Sequence, residues 1–116
     1  LSHSLGGVNP RLHHGTLNAM FLPAVVRFNA QAESVQKERR LERMAHAMGL
    51  ASSTDIPEAI RDMNARLGLP TGLAAMGVTP DVFDDVIKGA MADHCHKTNP
   101  RVATPEQYRE MLHQSL

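Results

Sequence analysis

Seven histidines and a single cysteine are the residues of this 116-residue chain best suited to chemistry, and they are unevenly spaced. His3 stands near the start; His13 and His14 follow, with Gly15 directly after them. Neutral imidazole is the commonest protein nitrogen ligand for transition metals, so this group points first to metal binding. The apolar pattern beyond it predicts a helix start immediately after His14, and Gly15 leaves room for backbone to pass close to whatever His14 touches. Two adjacent histidines without a nearby carboxylate do not complete a metal site, so exposed loop residues are the competing reading.

His94-Cys95-His96 has the composition of a chelate. On a helix, however, neighbours two apart point to different sides, so the two imidazoles cannot clasp one ion unless the helix has already ended. Cys95 has no partner in sequence that would activate it, and a lone thiol of this kind is commonly a buried packing residue. His46 and His113 fall on predicted helices beside charged residues and are expected to face solvent.

The elements that must position these groups read as helices throughout. Thr16 to Gln31 is apolar at Leu17, Met20, Phe21, Ala24, Val25 and Phe28, a helical repeat that continues beyond Pro23; the proline should kink this helix rather than end it. Val35 to Met48 predicts a second helix with Leu41, Met44, Ala45 and Met48 on one side and Gly49 as its stop. Asp55-Ile56-Pro57-Glu58 is a helix-start signature, followed by Ile60, Met63 and Leu67 and closed by Gly68. Leu73 to Met76 predicts one short turn before Gly77. Thr79-Pro80 starts a helix to about His94 with Phe83, Val86, Ile87, Ala90 and Met91 inward, and Thr104-Pro105-Glu106-Gln107 is a capping box for the last. The methionines fall at core spacing and read as filler. No segment alternates long enough for a strand. The expectation is a single all-α domain over residues 1–116, a bundle-like arrangement of about five helices.

Composition narrows the function. Hydrophobic residues make up 42% and aromatics 3%, which is globular with an aliphatic core. Twelve basic residues cancel twelve acidic ones, which removes the electrostatic case for a nucleic-acid binder. Lys37-Glu38-Arg39-Arg40-Leu41-Glu42-Arg43 mixes both signs and reads as a solvated face. No apolar run approaches the roughly 20 residues needed to cross a bilayer, and one cysteine fits a reducing, cytoplasmic setting. The chain starts on Leu1, and Leu1 to Leu5 running into Gly6-Gly7 reads as the last turn of a helix begun earlier, as if this were the C-terminal piece of a longer protein.

Three segments together resemble the C-terminal helical domain of the iron-containing alcohol dehydrogenases. The first is His3-Ser4-Leu5-Gly6-Gly7, then His14-Gly15 with Asn18-Ala19 and Leu22-Pro23 on the helix that follows. The second is Leu67-Gly68-Leu69-Pro70 with the Gly77-Val78 step, and the third runs from Asp93 through Asn99-Pro100-Arg101 to Thr104. The resemblance implies interconversion of small alcohols and aldehydes or ketones by hydride transfer, with NAD or NADP and one divalent metal, iron or alternatively zinc. It implies an N-terminal dinucleotide-binding domain as partner, with the metal in the cleft between the two. By position His14 carries over as a metal ligand, and His3 as a catalytic and cofactor-binding histidine beside the nicotinamide. Cys95 matches a position that lines the substrate cleft. The spacer Asn9-Pro10-Arg11-Leu12-His13 is longer than the family's usual one, which leaves His13 competing for the ligand role. The remaining ligands, one Asp and two His, would precede Leu1. With one ligand of four and no Gly-rich dinucleotide loop, these residues alone are expected neither to hold metal tightly nor to catalyse. The alternatives are a stand-alone helical interaction module, self-associating to cover its apolar face, and a small His-rich metal-handling protein.

Overall fold

Helix after helix forms where the apolar spacing repeats at three and four residues, and the computed structural model describes all of residues 1–116 as helices and connecting turns. They are α1 (Ser2–Val8), α2 (His14–Asn29), α3 (Glu33–Lys37), α4 (Arg40–Ala47), α5 (Ile56–Arg66), α6 (Phe83–Ala92) and α7 (Pro105–Gln114). Short 3-10 turns occupy Ser53–Asp55, Ala74–Met76, Pro80–Val82 and His94–Lys97. The all-α expectation holds, with seven α-helices in place of about five.

The longest helix, α2, is the spine, packing along α1, α5 and α7. It runs unbroken across Pro23, which is buried. A proline cannot donate to the carbonyl four residues back, which here is Ala19. That carbonyl instead accepts from the Asn64 amide of α5 at 3.0 Å. Asn64 is itself buried, so the pair satisfies two polar groups that would otherwise each cost about 1–3 kcal/mol.

The main core gathers sixteen buried residues from α1, α2, α6, α7, the 73–78 segment and Ala103 ahead of α7, with Leu5, Leu17, Leu73, Phe83, Val86 and Leu112 wholly enclosed. A second cluster holds Val26, Ala45, Ile56 and Ile60. α1 approaches α6 so closely that a Cβ on Gly89 would collide with the Ser4 hydroxyl. That hydroxyl donates to the Val86 carbonyl at 2.6 Å.

Several local expectations are corrected. Gly6-Gly7 does not stop a helix; α1 starts at Ser2 and continues through both glycines to Val8. The helix predicted over Val35–Met48 is two helices, parted at Arg39, whose φ of 51° is left-handed. Val35 is buried on α3 and Ala45 on α4, one on each side of the break. Met44, Met48 and Met63 are 44%, 42% and 42% exposed rather than core filler, whereas Met20 and Met111 are buried. Asp55 does hold the N-cap position of α5 but makes no capping hydrogen bond there, and the Ser52 hydroxyl caps the 3-10 turn that precedes it by accepting from the Thr54 N–H. The glycine stops at 49, 68 and 77 all have positive φ, and Thr104 and Gln107 form the full capping box.

Candidate functional site

Where α1, the start of α2 and the end of α6 converge, the surface opens into a cavity of about 410 Å³. Its floor is apolar, from Phe21, Val25, Phe28, Ala90 and Met111, and its mouth carries His3, His14, Asp93 and Cys95. Leu22, exposed on α2, forms part of the rim.

His14 is the first residue of α2, and neither of its ring nitrogens meets a protein hydrogen-bond partner. Its ring lies flat against that of His3, with centroids 5.0 Å apart and planes at 16°. His13 sits differently. As the N-cap of α2, it accepts at Nδ1 from the Thr16 N–H at 3.3 Å, which commits that nitrogen to the backbone. It does not line the cavity. The room at Gly15 serves His13 rather than His14, because a Cβ there would stand 3.1 Å from the His13 ring.

Asp93 organises the opposite side. α6 ends at Ala92, and Asp93 turns to extended backbone as the cap of the 94–97 turn. Its Oδ1 accepts from the Cys95 N–H at 2.7 Å, and its Oδ2 lies 2.9 Å from His3 Nδ1. The backbone N–H first, and His3 second, hold this carboxyl down at about 2. Asp93 is therefore a carboxylate at neutral pH, can only accept, and makes His3 Nδ1 the donor. In the neutral ring, Nε2 is then the nitrogen with a free lone pair. His94 completes a column of rings, its centroid 6.2 Å from that of His3.

Cys95 is exposed, not the buried packing residue that a lone thiol suggests. The Asp93 carboxylate beside it, with some burial, pushes its thiol up. His94 and His96 do point apart, as two-residue spacing requires: His94 is exposed, and His96 is buried with Nδ1 2.8 Å from the Tyr108 hydroxyl. Burial pushes the Tyr108 phenol up. Behind them Asn29 and Asn99 exchange amide hydrogen bonds at 2.7 and 3.2 Å. Arg101 donates to the Phe28 carbonyl at 3.2 Å, at the negative end of α2, and stacks over the Phe28 ring. The Asn-Pro-Arg segment thus braces the cavity floor.

The sequence pointed to His3, His14 and Cys95, which the structure brings to one place, and missed Asp93, which joins His3 to Cys95. No spacing signal could have paired Asp93 with His3, ninety residues away.

Comparison with known proteins adds an independent result. The pattern described as "Fe-containing alcohol dehydrogenase family, C-terminal" matches residues 1–116. A 4-hydroxybutyrate dehydrogenase of Cupriavidus necator is 56% identical over the whole chain, which spans 31% of that protein. An NAD-dependent methanol dehydrogenase of Bacillus methanolicus is 32% identical, again over the whole chain and 31% of the relative. Among solved structures, that of a 1,3-propanediol oxidoreductase superposes on 99% of the chain with a TM-score of 0.78 at 29% identity, covering 31% of that chain. The chain therefore spans about a third of the length of the relatives it matches.

Proposed function

The chain belongs to the iron-containing alcohol dehydrogenase family, and on that premise we propose that it supplies the helical wall of the active-site cleft of an NAD(P)-dependent enzyme that interconverts small alcohols and their aldehydes or ketones. The observation that carries this reading is the unshielded His14 imidazole, stacked on His3 at the mouth of an apolar cavity.

The donors present fit a divalent metal such as iron or zinc: His14 offers a free imidazole nitrogen at a solvent-open position, whereas His13 has spent one nitrogen on its cap. Bound there, such an ion would supply Lewis-acid polarisation of the substrate oxygen. The other donors would come from the rest of the longer protein. His3, oriented by Asp93, faces the site as a proton acceptor at Nε2, and the carboxylate fixes its tautomer. The floor around Phe21, Val25 and Met111 seats a short aliphatic chain and excludes water. Cys95 borders that seat. The dinucleotide belongs to the N-terminal domain, which would dock over the rim at Leu22. The identity with a 4-hydroxybutyrate dehydrogenase makes short hydroxy acids the first substrates to try. No helix is long and apolar enough to cross a membrane, and a cytoplasmic enzyme fits this reading.

The test is His14→Ala in the complete protein. Bound metal and alcohol-dependent NAD(P) reduction should fall together, the rate on the order of a thousandfold for the several kcal/mol a Lewis acid contributes. Retained metal in that variant, with loss in His13→Ala instead, would move the ligand role to His13.

A further inference from the structure

We infer that His3, Asp93 and Cys95 form a second cation site at the cleft mouth, one that takes a thiophilic divalent ion of the zinc class and shares no ligand with the site centred on His14. The two-residue spacing that prevents chelation on a helix no longer applies, because α6 stops at Ala92 and Asp93 is extended. The side chains this brings together are Asp93 and Cys95 rather than the flanking histidines. His3 arrives from α1, and one donor atom from each of the three lies within 4.8 Å of the other two.

The geometry is close to what such an ion needs. Tetrahedral zinc sets its nitrogen and oxygen ligands about 3.4 Å apart, and sulfur and oxygen about 3.6 Å apart. His3 Nδ1 and Asp93 Oδ2 are at 2.9 Å, joined by a proton that an ion can replace. Cys95 is exposed with its Sγ 3.4 Å from His94 Nε2, and rotation about its side chain would exchange that contact for the ion. Asp93 need not reorganise, since the Cys95 N–H already anchors its other oxygen at 2.7 Å. Sulfur, imidazole and carboxylate together suit a borderline-soft ion better than magnesium or calcium. On binding, the thiol proton leaves to solvent, the His3 ring proton moves from Nδ1 to Nε2, and water from the cleft takes the fourth position. Under the function proposed above, occupancy would remove the His3 lone pair that faces the substrate, making the ion an inhibitor. The site itself does not depend on that function.

Cobalt(II) is the probe, because a thiolate ligand gives a near-ultraviolet charge-transfer band that a shell of histidine and aspartate lacks. The complete, metal-loaded protein titrated with cobalt(II) should develop this band. Cys95→Ser should abolish it, and Asp93→Asn should weaken cobalt affinity by at least the order of tenfold that loss of a supporting carboxylate costs a metal site. His14→Ala should keep it while losing the resident metal. A titration without the band, a band that survives Cys95→Ser, or a band lost in His14→Ala overturns the second site. Absent alcohol-dependent NAD(P) reduction with the band intact would instead count against the functional reading alone.

Discussion

α2 takes part in two very different clusters. Through Leu17, Met20, Phe21, Ala24 and Phe28 it helps enclose sixteen buried residues with α1, α6 and α7. Through Val26 alone it joins residues of α4 and α5 in a cluster of only four. Every side chain at the cavity mouth stands on the first region, on α1, α2 or the turn after α6. The second region carries the exposed Met44, Met48 and Met63, and a surface of mixed charge along α3 and α4. Precise placement of imidazoles needs neighbours that cannot shift, and close packing on several sides supplies that rigidity. The lightly packed region serves as a buttress.

The largest test of this contrast is a pair of truncations. Phe83→Ala, at the wholly enclosed centre of the large core, should cost about 3–5 kcal/mol in chemical denaturation, while Ile60→Ala in the small cluster should sit near the 2 kcal/mol end of its range because that site can collapse. Equal costs would erase the distinction. NMR resonances of the His3 and His14 rings should move in Phe83→Ala and stay in place in Ile60→Ala.

Gly89→Ala sharpens the comparison within the large core. The added methyl meets Ser4, so α1 must shift or Ser4 must give up Val86; overpacking of this kind costs about 1–3 kcal/mol. Its signature is local, since His3 precedes Ser4 by one residue. The hydrogen bond from His3 to Asp93 should loosen, visible as a changed Nδ1 proton signal.

The smallest effect is a pH dependence. The Asp93 carboxyl is held at about 2 against an ordinary 3.8. A depressed carboxyl stabilises the folded chain fully above its unfolded value and loses that contribution as pH falls from about 4 to about 2. Asp93→Asn should therefore melt lower than the parent near neutral pH, with the gap closing through that window. A gap constant with pH would mean that the carboxylate charge has no part in it.

How much of this was legible beforehand follows the range of each interaction. The capping box at Thr104, the glycine stops at 49, 68 and 77, and four of the five residues of the inward face of α6, Phe83, Val86, Ile87 and Ala90, are local patterns that the structure carries out, whereas Met91 is exposed. The break at Arg39 was hidden, because charged residues on a solvated face look alike in a helix and in a turn. The methionine exposures were hidden because spacing identifies a face without saying whether anything covers it. At the site, His3 and His14 were found through resemblance. Asp93 required the fold, since a hydrogen bond spanning ninety residues leaves no trace in spacing.

The bond from Asn64 to the Ala19 carbonyl reaches across forty-five positions to repair the gap that Pro23 leaves in its own helix. Until α5 has docked, the Ala19 carbonyl has no partner within the protein, so the helix that presents His14 gains its last internal hydrogen bond only when α5 arrives. Its ordering is tied to the arrival of a distant segment, and the two should be gained and lost in a single cooperative step during folding.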